Sequence, residues 1–535
     1  MPHTTRAGLA AALLGLALGC LALGPGLGRG FALLHDMVFV PDPRFSAWTF
    51  GLAGGAARMV PSDALVTALA QVLPAELVQK LILLGIFVLG CSGAAVLAPS
   101  GSLGPRLVAG AFYVWNPYVA ERLLIGQWAL LLGYAGLPWV VRAVWSGRRR
   151  ALAVLPAAAG GFAAMTVTAL TALPVALARG LGRERGAAAR PVPRSAVRSV
   201  VVIAARPVLV TAGVLVAFSL PWLVVTALRP EGLAADPVGV AAFAARADTP
   251  FGTVGSLLSL GGIWNAHAVP PGYGTWAGAL ARLLLVLAGV AAFLRSDLPF
   301  RRGLGAAAVT GVLVACAGVS EPGRVAYQQV VGWWGGFAVF RDAQQFVAPL
   351  ALAAALGLGA LTGRVAGRRT WVGAMALVPV AVLPTLAWGA LGTLDAVPYP
   401  GSWSAARAVI ERDPAPGDVL VLPFESYRRF PWNGGRPVLD PAQRFFAVPG
   451  RRVVSNDAVR VGSLVVASED PRAREIEHVL EGPSPDLPGA GIRYVIVDAG
   501  TGEERARFAL WLRRAHVLVD DRDLRLYRFD EPVSR

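Results

Sequence analysis

The sequence predicts a polytopic α-helical membrane protein, with about 11 transmembrane helices and a C-terminal extracytoplasmic α/β domain. Of its 535 residues, 55% are hydrophobic and 15% are charged, whereas soluble domains carry about 25% charged residues. Apolar runs long enough to cross a bilayer recur up to Leu394, and residues 396–535 are charged and lack such runs. We therefore expect a membrane domain at residues 1–395 and a soluble domain at residues 396–535.

The net charge of +16 is compatible with this class. The basic residues are nearly all arginine and cluster between apolar runs, where they set the orientation of a membrane protein instead of binding nucleic acid. The three cysteines lie inside apolar runs, and no Cys/His cluster has metal-ligand spacing. We expect no disulfide, no zinc and no cofactor, with a divalent metal left as an open alternative.

The first predicted helix, Ala7–Leu23, follows Arg6 and begins on the cytoplasmic side. A signal peptide is the alternative, but the apolar run is long and no small-residue cleavage site stands out after it. The stretch 64–80 predicts an amphipathic helix on the membrane surface, leading to the second crossing. The further predicted crossings are Leu81–Leu97, Leu107–Trp115, Ala129–Trp145, two within 151–178, Pro207–Leu228, Leu280–Leu294, Gly305–Val319, Val347–Leu361 and Val372–Leu391. Long outer loops are expected at residues 229–277 and 320–346.

The stretch 151–178 has arginines on both sides and admits two interpretations. A hairpin that bends near Gly160 and Gly161 returns both ends to the cytoplasm. A single long crossing would invert every helix that follows. We favour the hairpin, because the later helices then obey the positive-inside rule.

The soluble domain alternates strands and helices. Residues 417–424, 492–500 and 524–529 are rich in β-branched and aromatic residues and predict strands, whereas residues 402–412 and 470–480 predict helices. A third helix is predicted at residues 502–515, and Ser402 or Ser404 is the expected N-cap of the first. This alternation is typical of a small α/β sandwich.

Unusual polar residues gather on the predicted outer side of the membrane domain. An ionisable residue at membrane depth is costly, so that a functional site is its default interpretation. Asp36 has a simpler alternative as a solvated loop residue or helix cap, and Arg341–Asp342 as an interfacial anchor. The candidate residues are His35, Asp36, Glu121, Arg122, Trp264, Asn265, His267, Arg341, Asp342 and Gln345.

These residue types suit transfer of a sugar from a lipid phosphate. An outer carboxylate can deprotonate a sugar hydroxyl, which then attacks an activated anomeric carbon. An arginine fork binds two phosphate oxygens and stabilises the charge that develops on the leaving group. No Walker motif, dinucleotide-binding turn or GxSxG elbow offers a rival chemistry.

Residues 115–139, "WNPYVAERLLIGQWALLLGYAGLPW", and 340–353, "FRDAQQFVAPLALA", resemble segments of the GT-C class of membrane glycosyltransferases. The likeness is to actinobacterial cell-envelope members of the arabinofuranosyltransferase type, and the tail, residues 491–529, is similar to their outer domain. The resemblance implies a polyprenyl-phosphate-linked sugar as donor, an envelope glycan or lipid as acceptor, and a multi-pass plasma-membrane protein with a cytoplasmic N-terminus and an outer C-terminal domain.

The resemblance also implies roles for the candidate residues. Asp36 matches the family's catalytic base and His35 adjoins it, although the family often has two acidic residues where this chain has His35–Asp36. By position, Arg122 and Arg341 are expected to contact the donor phosphate. The expected substrate-binding residues are Glu121, Trp264, Asn265, His267, Asp342 and Gln345.

Two other functions remain open at this point. A transporter or flippase of a lipid-linked intermediate would usually show paired repeats and charges near mid-membrane, neither of which is evident. A non-catalytic assembly protein would use its outer domain, where the aromatic- and arginine-rich stretch 423–446 is either a sugar-stacking surface or a packed loop.

Overall fold

The structure, a computed structural model, describes residues 2–54, 60–188, 197–229, 235–366 and 370–530. The first helices alternate between long apolar rods and short connecting helices. They are α1 (Pro2–Leu23), α2 (Val60–Ala70), α3 (Ala75–Leu97), α4 (Leu103–Val114), α5 (Pro117–Leu124), α6 (Trp128–Ser146), α7 (Arg150–Gly160), α8 (Phe162–Ala188) and α9 (Val197–Leu228), with the two-residue strand β1 (Phe31–Ala32) after α1.

The second half of the membrane domain begins with two short helices in a loop and returns to long ones. The helices are α10 (Gly239–Ala242), α11 (Gly252–Leu258), α12 (Trp276–Leu294), α13 (Arg301–Ala317), α14 (Glu321–Trp333), α15 (Ala348–Ala366), α16 (Val378–Val382) and α17 (Ala387–Gly392). Turns of 3-10 helix occupy Gly335–Val347, Thr370–Leu377 and Pro384–Leu386.

Seven of the described helices are long and apolar enough to cross a membrane, or up to nine if two bent pairs each count as one crossing. The bent pairs are Arg301–Ala317 with Glu321–Trp333, at 97°, and Ala374–Val382 with Pro384–Gly392, at 81°. Predicted crossings three and five correspond to α4 and α7, which have 12 and 11 residues. At about 1.5 Å per residue such helices fall short of a core about 30 Å thick, so the predicted count of eleven is not confirmed.

Most predicted helices are found with shifted ends, and the break in 151–178 is confirmed at Gly161, which has φ +79°. Two expectations are wrong, and one predicted crossing is interrupted. The stretch 64–80 is not one helix, because Pro74 separates α2 from α3. The expected loop 320–346 contains α14 and a 3-10 segment. The last predicted crossing is broken around Leu383 and Pro384, because a proline cannot donate the next helical hydrogen bond.

The soluble domain is built on a five-stranded sheet with the order β10-β11-β9-β3-β6, in which β3 runs parallel to β9 and β6. Its strands are β2 (Ala396–Val397), β3 (Asp418–Leu422), β4 (Tyr427–Arg429), β5 (Pro437–Leu439), β6 (Val453–Val454), β7 (Val459–Val461), β8 (Leu464–Val466), β9 (Ile492–Val497), β10 (His516–Asp520) and β11 (Arg525–Arg528). Its helices are α18 (Gly401–Arg412), α19 (Ala442–Phe445), α20 (Pro471–Leu480) and α21 (Gly502–Trp511).

All three predicted strands and all three predicted helices of this domain are found, although the predicted cap of α18 is wrong. The helix follows Pro400, and neither serine caps it with its side chain. Strands β4 and β5 form a hairpin outside the main sheet, as do β7 and β8. These two hairpins face the membrane domain and carry part of the site described below.

The soluble domain is joined to the loop after α1 by backbone pairing and by aromatic packing. Strand β1 pairs with β2, with Phe31 opposite Val397. The Tyr399 hydroxyl donates to the carbonyl oxygen of Phe39 at 2.9 Å. Behind this contact, Trp403 is fully buried against the rings of Phe430, Trp432, Phe445 and Phe446.

Candidate active site and its two cavities

The loop that carries Asp36 is held from both domains. The Asp36 N–H donates to the carbonyl of Ile125 at 3.0 Å, at the turn between α5 and α6. Gly126 in that turn has φ +84°, and a Cβ there would lie 2.1 Å from the nitrogen of Met37, so only glycine allows the approach. On the other side, the His35 N–H donates to the carbonyl of Pro437 at 2.7 Å. Asp36 is therefore fixed between the membrane helices and the β4–β5 hairpin.

Asp36 lines a cavity of about 450 Å³ between the two domains, which we call the acidic cavity. Its wall combines apolar and aromatic side chains from the membrane domain with six carboxylates and two arginines. The charged residues on its lining are Asp36, Asp63, Arg341, Asp342, Asp440, Arg444, Asp457 and Glu469.

Both arginines on this lining are ion-paired. Arg341 lies 3.2 Å from Glu469, and Arg444 lies 3.3 Å from Asp63 while its guanidinium stacks over Trp48. Two further arginines lie behind the wall and pair with lining carboxylates.

The first of these hidden arginines, Arg122, is 2% exposed and lies 3.0 Å from Asp342. Gln127 completes the contact by donating to the same carboxylate at 3.1 Å. The second, Arg428, is 1% exposed and lies 3.5 Å from Asp440.

Asp36 has a different partner. Its carboxylate accepts a hydrogen bond from the Tyr427 hydroxyl, and among the described residues no guanidinium pairs with it. Burial raises the pKa of Asp36 to about 6, the nearby Asp342 adds to the rise, and the Tyr427 hydrogen bond and Arg444 oppose it. A base with a pKa near 6 is largely ionised at neutral pH and can still accept a proton.

A second cavity, of about 340 Å³, lies on the other side of Tyr427, and we call it the basic cavity. Tyr427 and Trp264 line both cavities. The basic cavity has no acidic residue on its lining. Its titratable and polar side chains are His35, Arg246, Asn265, His267, Tyr427, Arg429 and Arg460.

The three arginines of the basic cavity reach it from separate segments and are all exposed. Arg246 lies in the loop between α10 and α11, Arg429 ends β4, and Arg460 is the middle residue of β7. The Arg429 guanidinium donates to the carbonyl of Gly435 at 3.0 Å. Within the described parts of the chain, no carboxylate pairs with any of the three.

The surroundings of His35 lower the pKa of its imidazole. Burial lowers its pKa to about 4, with further lowering by His267 and Arg429. The imidazole of His35 is therefore neutral near pH 7, and its ring lies edge-on to Tyr427, with centroids 6.4 Å apart.

The structure brings most of the predicted site residues to these two cavities. The acidic cavity contains Asp36, Trp264, Arg341, Asp342 and Gln345, and the basic cavity contains His35, Trp264, Asn265 and His267.

Two predicted residues line neither cavity. Arg122 lies behind Asp342. Glu121 is buried and accepts from the N–H of Ile263 at 3.2 Å, and burial together with the neighbouring Asp248 raises its pKa well above the usual range. The expected contacts of Glu121 with substrate and of Arg122 with the donor phosphate stay predictions.

The sequence did not predict the part of the site that comes from the soluble domain. The aromatic- and arginine-rich composition of the stretch 423–446 was the available indication. This stretch supplies Tyr427, Arg429, Asp440 and Arg444. Its tryptophan, Trp432, packs against Trp403 and Phe430 instead, so the stretch is both a packed loop and a site wall. Across the described residues, no group of three or more His, Cys, Asp and Glu side chains is placed to hold a metal ion.

The fold is similar to that of a solved arabinofuranosyltransferase. The structure of arabinofuranosyltransferase AftD from Mycobacteria aligns with 98% of this chain with a TM-score of 0.59 and 17% sequence identity. The chain spans 42% of the length of that protein. The predicted likeness to arabinofuranosyltransferases is thereby confirmed at the level of fold. No family model and no curated protein matches the sequence.

Proposed function

We propose that this chain is a membrane glycosyltransferase that moves a sugar from a polyprenyl-phosphate donor to a hydroxyl of an envelope glycan or lipid. The observation that carries the proposal is the placement of Asp36. It is the carboxylate of the acidic cavity that bonds to a phenol instead of a guanidinium or backbone amides, and its pKa is about 6. The fold shared with an arabinofuranosyltransferase supports the same reaction class.

In the proposed reaction the acceptor hydroxyl lies against Asp36. Asp36 takes its proton as the acceptor oxygen forms a bond to the anomeric carbon of the donor sugar. The bond from that carbon to the phosphate oxygen breaks, and its electron pair leaves with the phosphate. Tyr427 donates to Asp36 and holds the carboxylate in place, which makes it a positioning residue.

The orientation that we propose puts both cavities outside the cytoplasm. Helices α6, α8 and α15 each have one end near the acidic cavity, at Trp128, Phe162 and the segment before Ala348. The far end of each carries or precedes an arginine: Arg148, Arg179 and Arg364. Arginines collect on the cytoplasmic side of a membrane, which supports an extracytoplasmic soluble domain in the plasma membrane. A periplasm-active phosphatase fused to the end of the full chain should then be active, and a fusion active only in the cytoplasm would contradict the orientation.

The proposed function is tested by Asp36→Asn in the purified full chain, assayed with polyprenyl-phosphate sugars. Arabinofuranose is the first donor to try, because the similar structure is an arabinofuranosyltransferase. Loss of a general base lowers the rate by about 10² to 10⁴-fold. The matched control is Asp42→Asn, since Asp42 lies in the same loop, is exposed, and pairs with Arg44 and Arg407 outside both cavities.

Equal transfer by wild type and Asp36→Asn would remove the enzyme proposal as drawn. It would favour a non-catalytic assembly role, in which the outer domain carries the function. An equal loss in Asp42→Asn would show that the loop, and not the base, had been disturbed.

A further inference from the structure

We propose that the basic cavity is an anion-binding site that takes the phosphate group of the lipid-linked donor. The identity of the ligand rests on the proposed function, whereas the charge of the site does not. This assignment differs from the sequence-based expectation, in which Arg122 and Arg341 contact the phosphate.

The charges on the two linings decide between the cavities. The acidic cavity carries six carboxylates, and its two arginines are already paired with Glu469 and Asp63. A phosphate there would compete with bound carboxylates and face the others at close range. The basic cavity carries three arginines and no acidic residue on its lining, so a phosphate there meets charges of the opposite sign.

The arrangement of the arginines in the basic cavity also favours binding of an anion. Arg246, Arg429 and Arg460 come from three separate segments and converge on one space. Bringing like charges together raises the free energy of the folded chain, and an anion among them lowers it again. Their guanidinium groups are exposed and are not held by carboxylates of the described chain, so their donors are available to phosphate oxygens.

The position of the cavity fits the geometry of transfer. Tyr427 contributes to both walls, with its hydroxyl on Asp36 and its ring edge-on to His35. Trp264 also lines both cavities. A donor whose phosphate lies among the arginines can therefore place its sugar along these two rings, between the leaving-group side and the base.

The test is a binding measurement on the detergent-solubilised full chain with three probes: farnesyl phosphate, inorganic phosphate and farnesol. The variant is the double substitution Arg246→Gln with Arg460→Gln, because both side chains are exposed and their removal leaves no buried carboxylate unpaired. Farnesyl phosphate should bind about tenfold more weakly to this variant, while binding of farnesol is unchanged. The matched control is Arg513→Gln with Arg514→Gln, two exposed arginines of the soluble domain outside both cavities.

The probes separate the sources of the phosphate. Inorganic phosphate that displaces farnesyl phosphate from the wild type, and loses this ability in the variant, supports a site for the phosphate group itself. Farnesol bound as tightly as farnesyl phosphate would overturn the proposal, as would equal affinity of variant and wild type or an equal loss in the control. If the variant fails to fold, Arg246→Lys with Arg460→Lys serves instead. It should bind farnesyl phosphate more weakly than the wild type, because lysine keeps the charge but lacks the planar fork, and its binding should keep the salt dependence of the wild type. Loss of that salt dependence with the charge retained would count against the site.

Asp36→Asn distinguishes this proposal from the proposed function. It should lose sugar transfer without weakening farnesyl phosphate binding, because Asp36 faces the other cavity. If Asp36→Asn retains sugar transfer while the arginine variant binds farnesyl phosphate more weakly, the anion site is supported and Asp36 is not the base. If Asp36→Asn loses sugar transfer while the arginine variant binds farnesyl phosphate as tightly as the wild type, Asp36 is supported as the base and the anion site is contradicted.

Discussion

The acidic and the basic cavity share Tyr427 and Trp264, but their arginines are in opposite situations. Around the acidic cavity Arg341, Arg444 and the hidden Arg122 and Arg428 are each paired with a carboxylate. Around the basic cavity three exposed arginines have no such partner in the described chain. A buried pair mainly fixes the structure around it, whereas an exposed, unpaired cation has donors to offer to a ligand. The same residue type should therefore control stability on one side of Tyr427 and binding on the other.

The largest expected effect compares two neighbours on β4, whose side chains point to opposite faces. Arg428 is buried with Asp440 and Asp498, and Arg429 is exposed in the basic cavity. Arg428→Met leaves two buried carboxyl groups without a cation and should lower the free energy of unfolding by about 3–5 kcal/mol. Arg429→Met should change it by less than about 0.5 kcal/mol and weaken farnesyl phosphate binding instead. Denaturant unfolding of the solubilised chain measures the free energy of unfolding. Similar losses in both variants would contradict the assignment of Arg428 to stability and Arg429 to binding.

A smaller effect is expected at the pair between Arg122 and Asp342. Because Asp342 is 20% exposed, Arg122→Gln should cost about 2–3 kcal/mol of unfolding free energy. Adding Asp342→Asn should recover part of this loss, since the second substitution removes the unpaired charge. Farnesyl phosphate binding should stay within about twofold of wild type in both variants. A marked loss of binding in Arg122→Gln would instead restore Arg122 to the phosphate-binding role that its sequence position implied.

The pH dependence of transfer tests the acidic cavity alone. Asp36 must be ionised to accept a proton, so kcat/KM should fall as the pH drops through about 6. The Tyr427 hydrogen bond lowers the pKa of Asp36, and Tyr427→Phe should therefore move this fall to higher pH, by about one unit. The nearby charge of Asp342 raises the same pKa, so Asp342→Asn should move it in the opposite direction. A profile that none of these substitutions moves would show that Asp36 is not the group that titrates.

Sequence patterns predicted the elements better than the site. Apolar runs and strand alternation depend on local composition, and they located most helices and the strands β3, β9 and β11. The broken crossings were harder to predict, because the run 372–391 has no charged residue and contains two prolines. Pro379 lies within a helix, whereas the helix is interrupted at Pro384.

Asp36 was found because a carboxylate beside a membrane is costly wherever it points. Its partner Tyr427 is 391 positions away, and nothing local in either segment encodes that contact. The sequence also does not show which arginines are ion-paired with carboxylates. Arg122 and Arg246 look alike in the sequence, and only the contact with Asp342 separates a structural cation from an available one.

Salt should affect the two cavities differently, and the change in binding affinity that it causes should be modest. Arg246, Arg429 and Arg460 are exposed, so added ions screen their attraction for a phosphate. Raising the salt concentration from about 0.05 to 0.5 M should weaken farnesyl phosphate binding by about fivefold. Arg246→Gln with Arg460→Gln should flatten this dependence, and the exposed control Arg513→Gln with Arg514→Gln should leave it unchanged. The buried pairs around the acidic cavity are shielded from bulk ions, so the loss of unfolding free energy in Arg428→Met should respond to salt far less than binding does. Binding that ignores salt would mean that the phosphate is held by groups other than these three arginines.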